Sequence, residues 1–118
     1  MSDFYKGIPK TVRIGCYTYQ VEVGTVHEHP ASFGWHDTHH RVISIAPGLK
    51  GEQLANTFLH EVTHGIHWVY GLLYVANNEN PPPDEEEFTT VGTNGLCAFW
   101  QDNPEAMKWW IKALNSKE

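Results

Sequence analysis

One pattern constrains this chain more than any other. Leu54, Phe58, Val62, Ile66, Val69 and Leu73 recur at threes and fours, the spacing of one apolar helix face. It predicts a long helix over residues 51–70, with Gly71 placed to end it. Such a stripe needs a second layer to cover it, and the preceding residues supply one. Residues 10–14 and 17–23 are rich in β-branched and aromatic side chains. Tyr17, Tyr19, Val21 and Val23 alternate with Thr18, Gln20 and Glu22, the period of a half-buried strand. Gly15-Cys16 between them predicts a tight hairpin turn. Residues 33–36 read as a short strand, 37–40 as a turn and 41–45 as a further strand, closed by Ala46-Pro47-Gly48.

Helices resume after Pro81-Pro82-Pro83. Asp84 with Glu87 three residues on is a capping box of the Asp kind. Phe88, Val91, Gly95, Leu96 and Phe99 then mark an inward helix face. Asn103 as N-cap and Pro104 at the first helical position open a last helix carrying Met107, Trp110, Ile111 and Leu114. Its spacing assigns Trp110 to the core and leaves Trp109 exposed as a partner surface, which predicts a monomer or a weak dimer. Strands first and helices second predict an α+β fold: a small antiparallel or mixed sheet packed on the long helix and two further helices.

The 118 residues suffice for one domain, spanning 1–118, and are too few for two. No apolar run reaches the length of a membrane span. The first ten residues lack the apolar core of a secretory signal, so the expectation is a cytoplasmic protein. Cys16 and Cys97 are expected as buried or half-buried thiols, not as a disulfide. The net charge is −6, with much of the excess in residues 84–87. An acidic chain without a basic stripe is a poor partner for phosphate, which argues against nucleic acid. His27, His29, His36, His39 and His40 crowd together beside Asp37. They read as a polar surface loop, with a secondary metal site as the alternative.

The chemistry sits on the long helix. His60-Glu61-Val62-Thr63-His64 is an HExxH pattern. At about 100° per residue, positions four apart lie one above the other, so both imidazoles can reach one metal ion. Neutral imidazole suits Zn²⁺, and two such ligands leave room for a third and a water. Glu61 falls beside that water, where a carboxylate can take its proton and pass it to a leaving amine. The histidines are offset from the apolar stripe, as on a helix whose other side lines a cleft.

The third ligand distinguishes zinc classes. HExxHxxGxxH would require glycine at 67 and histidine at 70, where the chain has His67 and Tyr70. His60, His64 and His67 along one straight helix span about 10 Å, too far for one tetrahedral ion. The remaining class takes a glutamate from a later helix, and residues 84–87 open one. Acids also favour a first turn because of the helix dipole alone. Glu85 shares the inward face with Phe88 and is the choice for ligand, with Glu86 and Glu87 as alternatives.

The arrangement resembles the small ImmA/IrrE-like metallopeptidases of phages and prophages, gluzincin-type proteins with HExxH on one helix and a glutamate on the next. The resemblance covers roughly residues 8–104. It rests on the strand Arg41-Val-Ile-Ser-Ile45, the motif Leu59-His-Glu-Val-Thr-His64, and Glu85, Phe88 and Val91 ahead of Asp102-Asn103-Pro104. Gly92 and Thr93 are less apolar than that family's usual helix face. The resemblance implies a zincin-like fold and zinc-dependent hydrolysis of a peptide bond in a protein or peptide substrate. His60, His64 and Glu85 would hold the zinc, and Glu61 would be general base and then acid. Residues 41–45 would be the sheet edge on which an extended peptide lies. His67, Tyr70 and Tyr74 are unranked candidates for stabilising the oxyanion. The alternative is a catalytically silent, zinc-stabilised binding or structural protein of phage or prophage origin. Glu61 favours the enzyme, because a structural zinc site has no need of a carboxylate beside an open position.

Overall fold

The computed structural model describes residues 7–24, 33–71 and 84–116. The elements in chain order are β1 (Thr11–Ile14), β2 (Tyr17–Val23), β3 (Gly34–Asp37), β4 (Val42–Ile45), α1 (Gly51–Val69), α2 (Glu85–Asp102) and α3 (Pro104–Leu114). The expected α+β class holds, with a mixed sheet of four strands beside three helices. Gly15 takes a φ of 61° at the β1–β2 turn, and Gly71 takes 77° just past α1, where its N–H reaches the Trp68 carbonyl. Both are left-handed positions that suit glycine.

The strand order is β1-β2-β4-β3. β1–β2 and β3–β4 are antiparallel, whereas β2 and β4 run parallel, with Gln20 opposite Val42 and Val23 opposite Ile45. This corrects the expectation for residues 41–45. β4 is not an edge; it lies inside the sheet, with Ile43, Ser44 and Ile45 buried. The edge strands are β1 and, beside β4, β3. Trp35 is exposed while Gly34 and His36 turn inward against α1, so a strand with little apolar content still packs there.

Leu54, Phe58, Val62 and Ile66 of α1 are fully buried, as their spacing requires, and join Val12, Ile14, Tyr19, Ile43 and Ile45 in one core. The Phe58 ring lies 5.1 Å from Trp109 and 6.4 Å from Phe99, so it ties α1 to both later helices. Trp109 is therefore core, contrary to the expected exposed surface: α3 buries Ala106, Trp109 and Ala113. Trp110 is half-buried, and its indole N–H donates to the Ala55 carbonyl at 2.8 Å. Both cysteines are free, as expected, but both are exposed and not buried or half-buried. Cys16 occupies the hairpin turn, and Cys97 sits on α2 away from its buried Gly95 and Phe99.

Asp84 and Glu87 form the capping box the spacing predicts, with the Glu87 N–H donating to Asp84 Oδ1 at 2.8 Å. Asn103 is the N-cap residue of α3, but its side chain makes no cap bond to that helix. Its Oδ1 accepts from the Arg13 N–H, and its Nδ2 donates to the carbonyls of Arg13 and Phe99, all at 2.8 Å. One buried amide thus fastens β1 to the α2–α3 junction. Among the described residues no helix is long and apolar enough to cross a membrane.

Candidate functional site

α1 presents three kinds of surface. Its apolar stripe enters the core. Glu61 and Gly65, four apart, lie buried beneath β3. His60 and His64, also four apart, face outward beside that strand. β3 keeps step with α1. A Cβ at Gly34 would come within 2.8 Å of Glu61 Oε2 and 2.9 Å of Thr57 Cγ2, while the His36 ring stacks against His64 with centroids 6.3 Å apart. The outer edge of β3 therefore borders the helix face that carries the histidines.

His60 Nε2 and His64 Nε2 approach to 3.1 Å, with the rings at 78°. Two nitrogens bound tetrahedrally to one zinc at about 2.0–2.1 Å would be about 3.3 Å apart. The pair thus has the spacing that one such ion needs. Burial, then the charges of His60 and His67, hold the His64 pKa below its ordinary value, which favours the neutral ring that a ligand must be. Glu61 is buried under Gly34. That burial raises its carboxyl above the usual range, and the His60 charge only partly opposes the rise. A carboxylate raised toward neutrality is a better proton acceptor from water than an ordinary one.

The acidic turn of α2 stands apart. α2 passes α1 in the opposite sense: Phe99 meets Phe58, Gly95 packs under Ile66, and Phe88 contacts the His67 ring at 5.3 Å. Glu85, Glu86 and Glu87 precede Phe88 and are exposed, with Glu87 engaged in the capping box. Among the described residues they do not join His60 and His64 in a group of three able to hold a metal ion. His67 is half-buried against Phe88, and burial lowers its pKa. Tyr70 is exposed at the end of α1, and Tyr74 lies outside the described residues.

His36 lies elsewhere than its sequence neighbours suggest. His36 was grouped with a polar surface loop, and for His39 and His40 that assignment holds: both are exposed, and His40 hydrogen-bonds Asp37 at 3.0 Å. His36 instead enters the site. Its ring is the middle of a near-parallel stack, 5.4 Å from Tyr19 and 6.3 Å from His64. Its Nε2 and the Tyr19 hydroxyl are buried with no hydrogen-bond partner. Burial, aided by the His64 charge and resisted by Asp37, pushes the His36 pKa down to about 4. The signal available was strand alternation, which places residue 36 opposite Trp35.

No family model matches the chain, and no curated protein or solved structure shows significant similarity to it.

Proposed function

We propose that this chain is a zincin-like, zinc-dependent peptidase related to the small ImmA/IrrE-like phage and prophage proteins. The observation that carries the reading is the convergence of His60 Nε2 and His64 Nε2 at 3.1 Å, next to a buried Glu61 under an edge strand. His60 and His64 would hold the zinc; a glutamate of the acidic turn, Glu85 first, is the third protein ligand that the sequence suggests, and it would have to come to the histidine pair from a turn that stands apart from it here. A bound zinc would polarise the scissile carbonyl and make water acidic enough to attack at neutral pH.

The chain's own residues do the rest. Glu61 accepts the water proton and returns it to the departing amine, and its raised pKa suits both halves of that exchange. β3 offers main-chain N–H and C=O groups to an extended peptide lying between the strand and the histidine face. Gly34 leaves the space in which the Glu61 carboxylate sits. The His36 ring, stacked on His64, restrains that imidazole's orientation.

The exposure of the acidic turn, apart from the histidine pair, favours one other reading: a zinc-holding protein without turnover. The test is hydrolysis of a mixed peptide library by zinc-loaded protein, wild type beside Glu61→Gln. Cleavage in the wild type, falling about 10²–10⁴-fold in the variant while zinc is retained, is the expected result. Equal cleavage by both would remove Glu61 from the mechanism. Zinc binding with no cleavage by either would leave the silent reading.

A further inference from the structure

A cavity of about 220 Å³ opens where α1 ends, lined by Tyr17, Tyr19, Thr38, Arg41, Trp68 and Val69 among others. It lies beyond His64 along the peptide path proposed above. Trp68 follows His64 by four residues and so shares the histidine face of α1. Thr38 follows His36 by two, along the path of β3. The buried Tyr19 ring stacks on His36, which stacks on His64, so three rings in series join the cavity floor to the histidine pair. Four helical residues advance about 6 Å, the rise of about two residues of extended chain. A peptide running along β3 across His64 would therefore place a group in this cavity about two residues from the bond at the metal.

Three features define what that group is. The cavity's cation is Arg41, whose guanidinium lies 5.3 Å from the Tyr17 ring centroid, held by cation–π contact. Among the described residues no carboxylate is paired with it; Asp37, four residues before it, is tied to His40 through the backbone N–H and the ring. Arg41 also has a φ of 55°, a left-handed backbone that glycine or asparagine would take at lower cost. Arg41 closes the turn between β3 and β4, and large side chains in such a conformation cluster at ligand-binding positions. The exposed rings of Tyr17 and Trp68 flank it and exclude water from one side of any ion pair formed there. The volume lies below the range of about 300–1,000 Å³ of small-molecule sites, so it fits one side chain or a chain end and not a nucleotide.

We propose that this cavity is a substrate pocket that recognises a carboxylate of the peptide, with Arg41 as the specificity-determining residue and Tyr17 and Trp68 as its walls. The inference rests on the peptide-groove reading above and names its substrate class: peptides with an acidic residue, or a terminal carboxylate, about two residues from the cleaved bond.

The test is binding followed by NMR on the full chain, at the Arg41 side-chain N–H and the Trp68 indole N–H. The probes are N-acetyl-Ala-Glu-Ala-amide against its Gln counterpart, and N-acetyl-Ala-Ala-Ala as free acid against amide. At least one acid should bind about tenfold or more tightly than its neutral partner, the difference expected for a hydrogen bond to a charged group. Which acid does so separates an internal acidic side chain from a chain terminus. In Arg41→Gln the preference should vanish at an unchanged melting temperature. Equal affinities for acids and neutral partners, no saturable shift with either acid, or a preference that survives Arg41→Gln would overturn the proposal. The readout needs neither zinc nor turnover, so its failure and that of the peptidase reading are told apart.

Discussion

Gly34 of β3 lies directly over Glu61 of α1: a Cβ on Gly34 would fall 2.8 Å from the Glu61 carboxylate oxygen. The edge strand and the candidate base are thus in contact through a position where a side chain has no room. This contact sets how close the sheet edge comes to the histidine face, and so, on the proposed peptidase reading, how a peptide on β3 would meet a zinc bound there.

Replacing Gly34 with alanine should therefore act on structure and site together. The added methyl must displace Glu61, Thr57 or the strand, an overpacking cost of about 1–3 kcal/mol. Denaturant titration should show that loss, and peptide cleavage should fall further than zinc binding. An alanine variant as stable as the wild type would mean that β3 sits less tightly on α1 than described.

Asn103 is a second point of leverage, far from the histidines. Asn103→Ala would remove three hydrogen bonds and leave the Arg13 N–H and C=O without their partner. About 2–3 kcal/mol of stability should go with them. Asn103→Asp keeps the acceptor and loses both donated bonds, so its cost should also be measurable. Unfolding midpoints check both, and a neutral Asn103→Ala would contradict the clamp.

The zinc-free protein should lose stability on acidification. His36, His64 and His67 all have folded pKa values below their ordinary value, His36 at about 4. As pH falls below about 6.5, the unfolded chain takes up protons that the folded chain refuses, so stability present above that pH is lost toward pH 4. Each group contributes at most about 1.4 kcal/mol per pH unit. Glu61, with its raised pKa, works in the opposite sense and blunts the fall. Urea midpoints in chelator between pH 7.5 and 5 should show the decline, and His36→Phe, which keeps a stacked ring without titrating, should flatten it. An unchanged slope in that variant would remove His36 from the account.

Arg41 should show a trade between stability and binding. Arg41→Gly relieves the left-handed backbone and should raise stability by about 1 kcal/mol while abolishing carboxylate preference. Thermal unfolding reads the first effect. A destabilised Arg41→Gly would mean that the Tyr17 contact outweighs the backbone cost.

Much of this was legible in the residues. The stripe from Leu54 to Ile66 named the core helix, Gly15 and Gly71 named turns, and Asp84 with Glu87 named a cap, because each depends on local geometry alone. His60 and His64 were paired by helical spacing for the same reason. What escaped depends on contacts distant in sequence. The parallel pairing of β2 with β4 moves residues 41–45 off the edge, and nothing within those residues encodes it. Alternation along β3 sets His36 opposite Trp35, but which of the two faces inward is decided by the packing of β3 on α1. Trp109 and Trp110 are adjacent on α3, and Phe58, some fifty residues earlier, decides which of them is core. The role of Asn103 shows the same limit: its cap position was readable, its hold on Arg13 was not.

The central claim is a zinc site built on His60 and His64, and metal content tests it most directly. Purified protein supplied with zinc should carry about one ion per chain by mass spectrometry, and His64→Ala should carry none. Glu85→Ala, measured alongside, should lose the metal if Glu85 is the third ligand and keep it if Glu86 or Glu87 serves instead. A wild-type protein that binds no zinc under these conditions would contradict the account.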